Sequence, residues 1–201
     1  ELTANNKAEI SLILDALTGD VIKATGNGTL NINVPASGDM TMKGRYNIES
    51  GSYNFNFQNF LRKPFELKKD AGSYVEWSGD PYNAIMKVDA KYTAKNVSFT
   101  DLIGNTGYRF QGSTLAYRDP VYVIATLSGK LTNPDIKFRF EFPENSPVNS
   151  DRFLQAFLDK IESDDNEMLK QVTWLIVFDA FAPYGEIGAG GTIARGTSIN
   201  T

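Results

Sequence analysis

The residues best placed to do chemistry in this 201-residue chain are carboxylates. Glu162, Asp164, Asp165 and Glu167 crowd one short stretch, and Glu76 and Asp80 flank Trp77. The first cluster lacks the Asp-x-Asp-x-Asp-Gly spacing and distal Glu of a calcium loop. Carboxylates ahead of an apolar run are more simply read as caps of a helix N-terminus. The second pair would suit a glycosidase only at a separation of roughly 5 to 9.5 Å, and beside a turn such acids read as surface. Gly185-x-x-Gly188-x-Gly190-Gly191 neither follows a strand nor opens a helix, and it lacks the Lys-Ser/Thr ending of a phosphate loop. Histidine and cysteine are both absent. That excludes Ser-His-Asp and Cys-His nucleophile systems, CxxC redox pairs and the usual zinc sites. The expectation is a protein without catalysis and without a cofactor.

Charge narrows the partners. The net charge is −4 and the pI about 5.0, whereas nucleic-acid partners carry basic patches, so none is expected. No stretch reaches the roughly 18 apolar residues of a membrane span. The sequence opens at Glu1 without methionine and stops in a glycine-rich run, which reads as a piece of a longer protein. Asn27-Gly28-Thr29 and Asn96-Val97-Ser98 fit a glycosylation pattern and are taken as chance.

The elements that must position any site are strands. Over the first 142 residues apolar side chains recur at every second position, the mark of strands with one buried face. Examples are Leu30, Ile32 and Val34, then Met40 and Met42 with Tyr46 and Ile48, and Ala84, Met86, Val88, Ala90 and Tyr92. Turn signals punctuate the rows at Pro35–Asp39, Glu49-Ser50-Gly51, Ser78-Gly79-Asp80-Pro81, Ser128-Gly129 and Asn133-Pro134-Asp135. Such short connections favour antiparallel neighbours, because parallel pairs need long crossovers. From Asn149 the period changes to that of helices. Phe153, Leu154, Phe157, Leu158 and Ile161 describe one after a Ser150/Asp151 cap. A second is expected over about 166–181, opened by the box-like Asp164-Asp165-Asn166-Glu167. The organisation predicted is a sheet over 1–148, two helices over 149–183, and a Gly-rich tail over 184–201.

The long apolar row admits two readings. One is the core of a closed sandwich. The other is a single large sheet whose apolar face is only partly covered and holds a greasy ligand. Adaptable Met and Phe side chains suit a variable acyl chain. The candidate lining of such a groove is Met40, Met42, Tyr46, Ile48, Phe55, Phe57 and Trp77, continued by Met86, Val88, Val123, Leu127, Phe138 and Phe140. Ser78, Gly79, Asp80 and Pro81 form a structural turn that fixes register, with Asp80 serving the turn rather than catalysis.

Particular stretches carry a resemblance. Lys43-Gly44-Arg45-Tyr46-Asn47-Ile48-Glu49-Ser50-Gly51-Ser52-Tyr53-Asn54-Phe55 is followed by Lys63-Pro64-Phe65-Glu66-Leu67. Next comes Ala71-Gly72-Ser73-Tyr74-Val75-Glu76-Trp77-Ser78-Gly79-Asp80-Pro81-Tyr82-Asn83-Ala84. Together with Asp89-Ala90-x-Tyr92, Leu127-Ser128-Gly129-x-Leu131-x-Asn133-Pro134 and the segment from Gln171 to Phe181, this order resembles the C-terminal domain of the TamB family, an AsmA-like group, in its Bacteroidetes form. The resemblance implies a mainly β fold, one large antiparallel sheet curled into a half-pipe (the β-taco) with an apolar concave face. It implies the periplasmic part of an inner-membrane-anchored protein of the Gram-negative envelope, carrying phospholipid between membranes. It also implies an Omp85-class outer-membrane barrel (TamA-like) as partner in outer-membrane protein and autotransporter assembly. The two functional expectations are thus a lipid-handling groove and an assembly scaffold that pairs through a sheet edge.

Overall fold

The computed structural model describes residues 2–5, 7–15, 19–57, 61–103 and 118–185. Nine strands form one sheet: β1 (Leu2–Ala4), β2 (Glu9–Asp15), β3 (Asp20–Asn33), β4 (Thr41–Phe57), β5 (Leu61–Leu67), β6 (Tyr74–Gly79), β7 (Ile85–Ser98), β8 (Arg118–Lys130) and β9 (Asn133–Glu141). Helices follow as α1 (Thr100–Ile103), α2 (Arg152–Glu162) and α3 (Asp165–Phe178). The order is β1-β3-β4-β5-β7-β8-β9, with β2 also on β3 and β6 between β4 and β7, and the strand pairs with defined register are antiparallel. The expected mainly β fold of one large antiparallel sheet with two C-terminal helices is what forms.

One turn prediction fails for a reason the pairing shows. Glu49-Ser50-Gly51 was expected to separate two strands, yet β4 runs through it without a break. The glycines here admit close backbone approach instead of a reversal. A Cβ on Gly44 (φ +135) would strike the Thr29 carbonyl oxygen, and one on Gly51 (φ +146) would strike that of Lys23. The β3–β4 ladder also shifts register between Thr25 and Gly26, and the β2–β3 ladder between Ile13 and Asp15. Irregularities of this kind bend a strand and raise its twist, consistent with a curled sheet.

The chain divides into two compact units, Glu1–Tyr92 with Ile124–Arg139, and Thr93–Val123 with Phe140–Thr201. In the first, β5 and β6 lie end to end between β4 and β7, like one strand interrupted by residues 68–73. Ser73 bridges the interruption: its carbonyl accepts from Ile48 N–H (2.9 Å) and its Oγ from Asp89 N–H (3.2 Å). Apolar side chains then stack in rows across strands. Ile22, Tyr53 and Phe65 form one, and Tyr46, Val75 and Met86 another, with the backbone of Gly28 opposite Tyr46. On the opposite face Arg139 donates to Asp89 (3.0 Å) and to Thr126 (2.6 Å), tying three neighbouring strands.

Tyr53 is fully buried, and its hydroxyl has no hydrogen-bond partner among the described residues. Burial, and secondarily the negative charge of Asp20, push its pKa well above the ordinary tyrosine value. A group raised in the folded state contributes fully below its unfolded pKa of about 10. That contribution is lost as pH rises above it, because only the unfolded chain ionises. Tyr53→Phe is expected to raise stability by about 1 kcal/mol at neutral pH, since an unpaired buried hydroxyl disappears. It should also flatten the loss of stability above pH ~10. Urea midpoints of both proteins at pH 8 and pH 10.5 check this, and a less stable phenylalanine variant would refute it.

The second unit holds the helices. Asp151 caps α2 by accepting from Phe153 and Leu154 N–H, and Asp164 caps α3 by accepting from Asn166 and Glu167 N–H. Within the acidic cluster Asp164 is the cap, Asp165 and Glu167 stand in the first turn of α3, and Glu162 turns to the Phe140 N–H. The reciprocal half of a capping box does not form, because Glu167 turns to Lys170 (2.8 Å) and Gln171 (2.8 Å). α3 stops at Phe178 rather than near 181 because Asp179 takes a left-handed conformation (φ 50) and its N–H closes on Leu175. Asp179 also accepts from Lys95 N–H at 3.0 Å. Phe99, Phe140, Phe142 and Phe181 form an aromatic cluster with centroids 5.3 to 5.8 Å apart. The predicted tail lies outside the described residues from 186 onward.

Candidate functional site

The apolar face of the first unit is mostly protein core. Tyr46, Val75 and Val88 are fully buried, as is Leu127, and Met86, Ile48, Phe55 and Trp77 are nearly so. The polar tips among them are satisfied locally. Tyr46 Oη donates to the Ala8 carbonyl (2.8 Å) and Trp77 Nε1–H to that of Pro81 (3.2 Å). Burial raises the Tyr46 pKa, so at neutral pH that hydroxyl is a donor, not a charge. Phe55 packs edge-on against Phe65 (5.6 Å) and Phe138 (5.8 Å), the latter half-buried.

One end of the same face is not covered. The row Leu30–Gly44–Trp77 is buried at Leu30 and Trp77, but the next, Ile32–Met42–Gly79, is open. Ile32 is 40% exposed, and beyond it Val34 is 72% and Met40 44% exposed. Leu2, which precedes buried Ala4 by two positions in β1, is 51% exposed on the same face. The alternation that fills the core thus continues past the last packed row. Sequence reasoning included Met40 and Met42 but passed over Ile32 and Val34 as ordinary strand residues. The pairing of Ile32 with Met42 on β4 was the missing signal.

The candidate lining is therefore distributed. Met40, Met42, Tyr46, Ile48, Phe55, Trp77, Met86, Val88, Leu127 and Phe138 belong to the first unit. Val123 and Phe140 belong to the second, where Phe140 meets Phe181 at 5.7 Å. The Phe57 side chain lies outside the described residues. Asp80 acts in the turn as expected, accepting from Tyr82 N–H and Asn83 Nδ2 at 2.9 Å each. Glu76 faces Arg45 at 3.9 Å, and Arg45 lies over the Tyr74 ring at 3.6 Å, an arrangement of surface groups.

Elsewhere in the first unit a cleft of about 520 Å³ opens between β4 and the 68–73 segment. Its lining mixes Arg45 and Lys69 with Glu49 and Asp70, charges that offset one another. The described residues contain no acidic cluster able to hold a metal ion and no helix long and apolar enough to cross a membrane.

A second surface is an edge. β9 ends the sheet among the described residues, and its Phe140 N–H donates to Glu162 of α2 at 2.6 Å. A side-chain carboxylate stands where a neighbouring strand's carbonyl would.

The class defined by this geometry is that of large antiparallel sheet proteins, here with one apolar face uncovered at one end and a terminal strand edge. The family model described as the TamB C-terminal domain matches residues 1–200, and the chain belongs to the TamB family. That family serves envelope biogenesis and is non-enzymatic. Comparison with curated proteins and with solved structures finds no match in either.

Proposed function

We propose that this chain is a non-enzymatic module of the periplasmic part of an inner-membrane-anchored protein, and that it holds phospholipid acyl chains against its apolar sheet face. The observation that carries the reading is the uncovered end, where the Ile32–Met42 pair follows the packed rows and Val34 and Met40 beyond it are exposed. Acyl contact is confined to that end, since the packed rows have no free surface. Burying a methylene contributes about 0.8 kcal/mol, so five held there contribute about 4 kcal/mol, equivalent to a dissociation constant near 1 mM. Contact that weak suits passage of lipid better than storage. The mechanism needs no nucleophile, metal or proton relay, only an apolar surface that shields acyl chain from water.

Transfer of a fluorescent phospholipid from vesicles to the detergent-free protein tests this. Met42→Asp and Ile32→Asp are expected to reduce lipid capture by about tenfold or more, near 1.4 kcal/mol. Both positions are partly solvated, so the urea midpoint should hold. Unchanged capture in both variants would overturn the reading.

A second reading, favoured by the β9 edge, is that of a scaffold that pairs with an Omp85-class outer-membrane barrel (TamA-like) by strand addition. Photo-crosslinkers at Lys137 and Arg139 of β9 should then yield adducts with an outer-membrane barrel in cells. Adducts at the same level from Lys23 on β3, exposed like Lys137, would remove the support.

A further inference from the structure

We propose that Glu162 is a latch on a strand-docking edge: its carboxylate occupies the Phe140 N–H that an incoming extended peptide must bond to add to β9. The inference rests on the strand-addition reading and deepens it.

Residues two apart in a strand present their N–H and C=O to the same side. Phe140 N–H points to Glu162, away from the sheet, so Phe138 and Ile136 present their backbone groups to that side as well. Pro134, next in the series, has no N–H to offer, a common device on edge strands. The edge thus carries a defined run of docking groups. Side chains agree with it: Ile136 and Phe138 are half-buried, leaving apolar surface that a neighbouring strand would cover. Lys137, exposed on the other face, favours an acidic residue opposite. The occupant these features fit is an extended segment of alternating apolar and polar or acidic residues, the pattern of a membrane-barrel strand. Glu162 closes α2, and Ser163 after it closes back on Asp159 and Ile161, so the carboxylate can swing away without unwinding the helix. An exposed edge invites unwanted pairing. A charged acceptor that a longer ladder can displace blocks that and still admits a proper partner.

The test uses the whole chain and a labelled nine-residue peptide in which valine alternates with threonine and glutamate. Glu162→Ala frees the donor and is expected to tighten binding by about 10- to 100-fold, the range of one hydrogen bond to a charged group. Glu162→Gln keeps an acceptor and should fall between the two. Ile136→Pro on the Glu162→Ala background removes a docking donor and should abolish the gain. On the unaltered chain, hydrogen exchange at saturating peptide should show new protection at Ile136, Phe138 and Phe140, a readout independent of any variant's folding.

Protection of those amides with affinity indifferent to Glu162 would overturn the latch and leave strand addition standing. No protection in β9 in any protein would overturn both. Self-association of Glu162→Ala in sedimentation velocity without peptide would assign the edge to a second copy and overturn the peptide assignment.

Discussion

Gly44→Ala is expected to cost about 3 kcal/mol or more of folding stability, at the severe end for a change of one methyl group. The added Cβ meets the Thr29 carbonyl oxygen and the Leu30 backbone and side chain. Backbone atoms in a paired ladder cannot step aside without breaking its hydrogen bonds. Gly44 also lies opposite Trp77 on β6, so displacement of β4 would disturb the last packed row before the uncovered end. Gly72→Ala separates this effect from ordinary conformational strain. Gly72 has φ +66, but a Cβ added there would meet nothing within 4 Å, so the change should cost only about 1 to 2 kcal/mol. Urea unfolding of the three proteins decides it. Equal costs would mean that positive φ, not backbone contact, makes Gly44 necessary.

Gln171→Leu is expected to cost about 3 to 5 kcal/mol, because it strands the two buried backbone groups of Ala182 at about 1 to 3 kcal/mol each and takes one partner from Glu167. Gln171 is fully buried in α3. Its Oε1 accepts from Ala182 N–H (2.9 Å), and its Nε2 donates to the Ala182 carbonyl (3.0 Å) and to Glu167 (2.8 Å). One side chain thus replaces both backbone bonds of a strand neighbour and folds the segment after α3 back onto the helix. Lys170 supports it by donating to the Pro183 carbonyl at 3.0 Å. The Phe181 ring, set one residue from Ala182, is part of the aromatic cluster of the second unit. Loss of the glutamine should therefore appear in two ways, as a lower urea midpoint and as faster proteolysis near Ala182–Tyr184. A variant within about 1 kcal/mol of the parent, cleaved no faster, would refute the role.

Much of the fold is legible in the chain because the alternation of side chains is a local property. Leu30 and Ile32, or Met86 and Val88, declare a strand whatever lies beside them. Helix starts are equally local: Asp151 and Asp164 cap through bonds to residues two and three positions on. Gly51 misled for the same reason. A glycine between two apolar rows looks like a turn, and only the Lys23 carbonyl, brought against it by pairing with β3, reveals a strand interior. The candidate site was half legible. Its apolar residue types could be named in advance, but Met42 and Tyr46 lie on one face of one strand and differ only in what covers them.

The sequence by itself determined the element types, the antiparallel sheet, the two capped helices and the lack of histidine- or cysteine-based chemistry. Each of these depends on composition or on neighbours a few residues away. The tertiary structure alone decided which apolar rows are core and which end is open, because burial depends on strands tens of residues apart. It also decided that Glu162 serves the Phe140 edge and Gln171 the Ala182 backbone. Those bonds join residues 22 and 11 positions apart, beyond the reach of any local pattern.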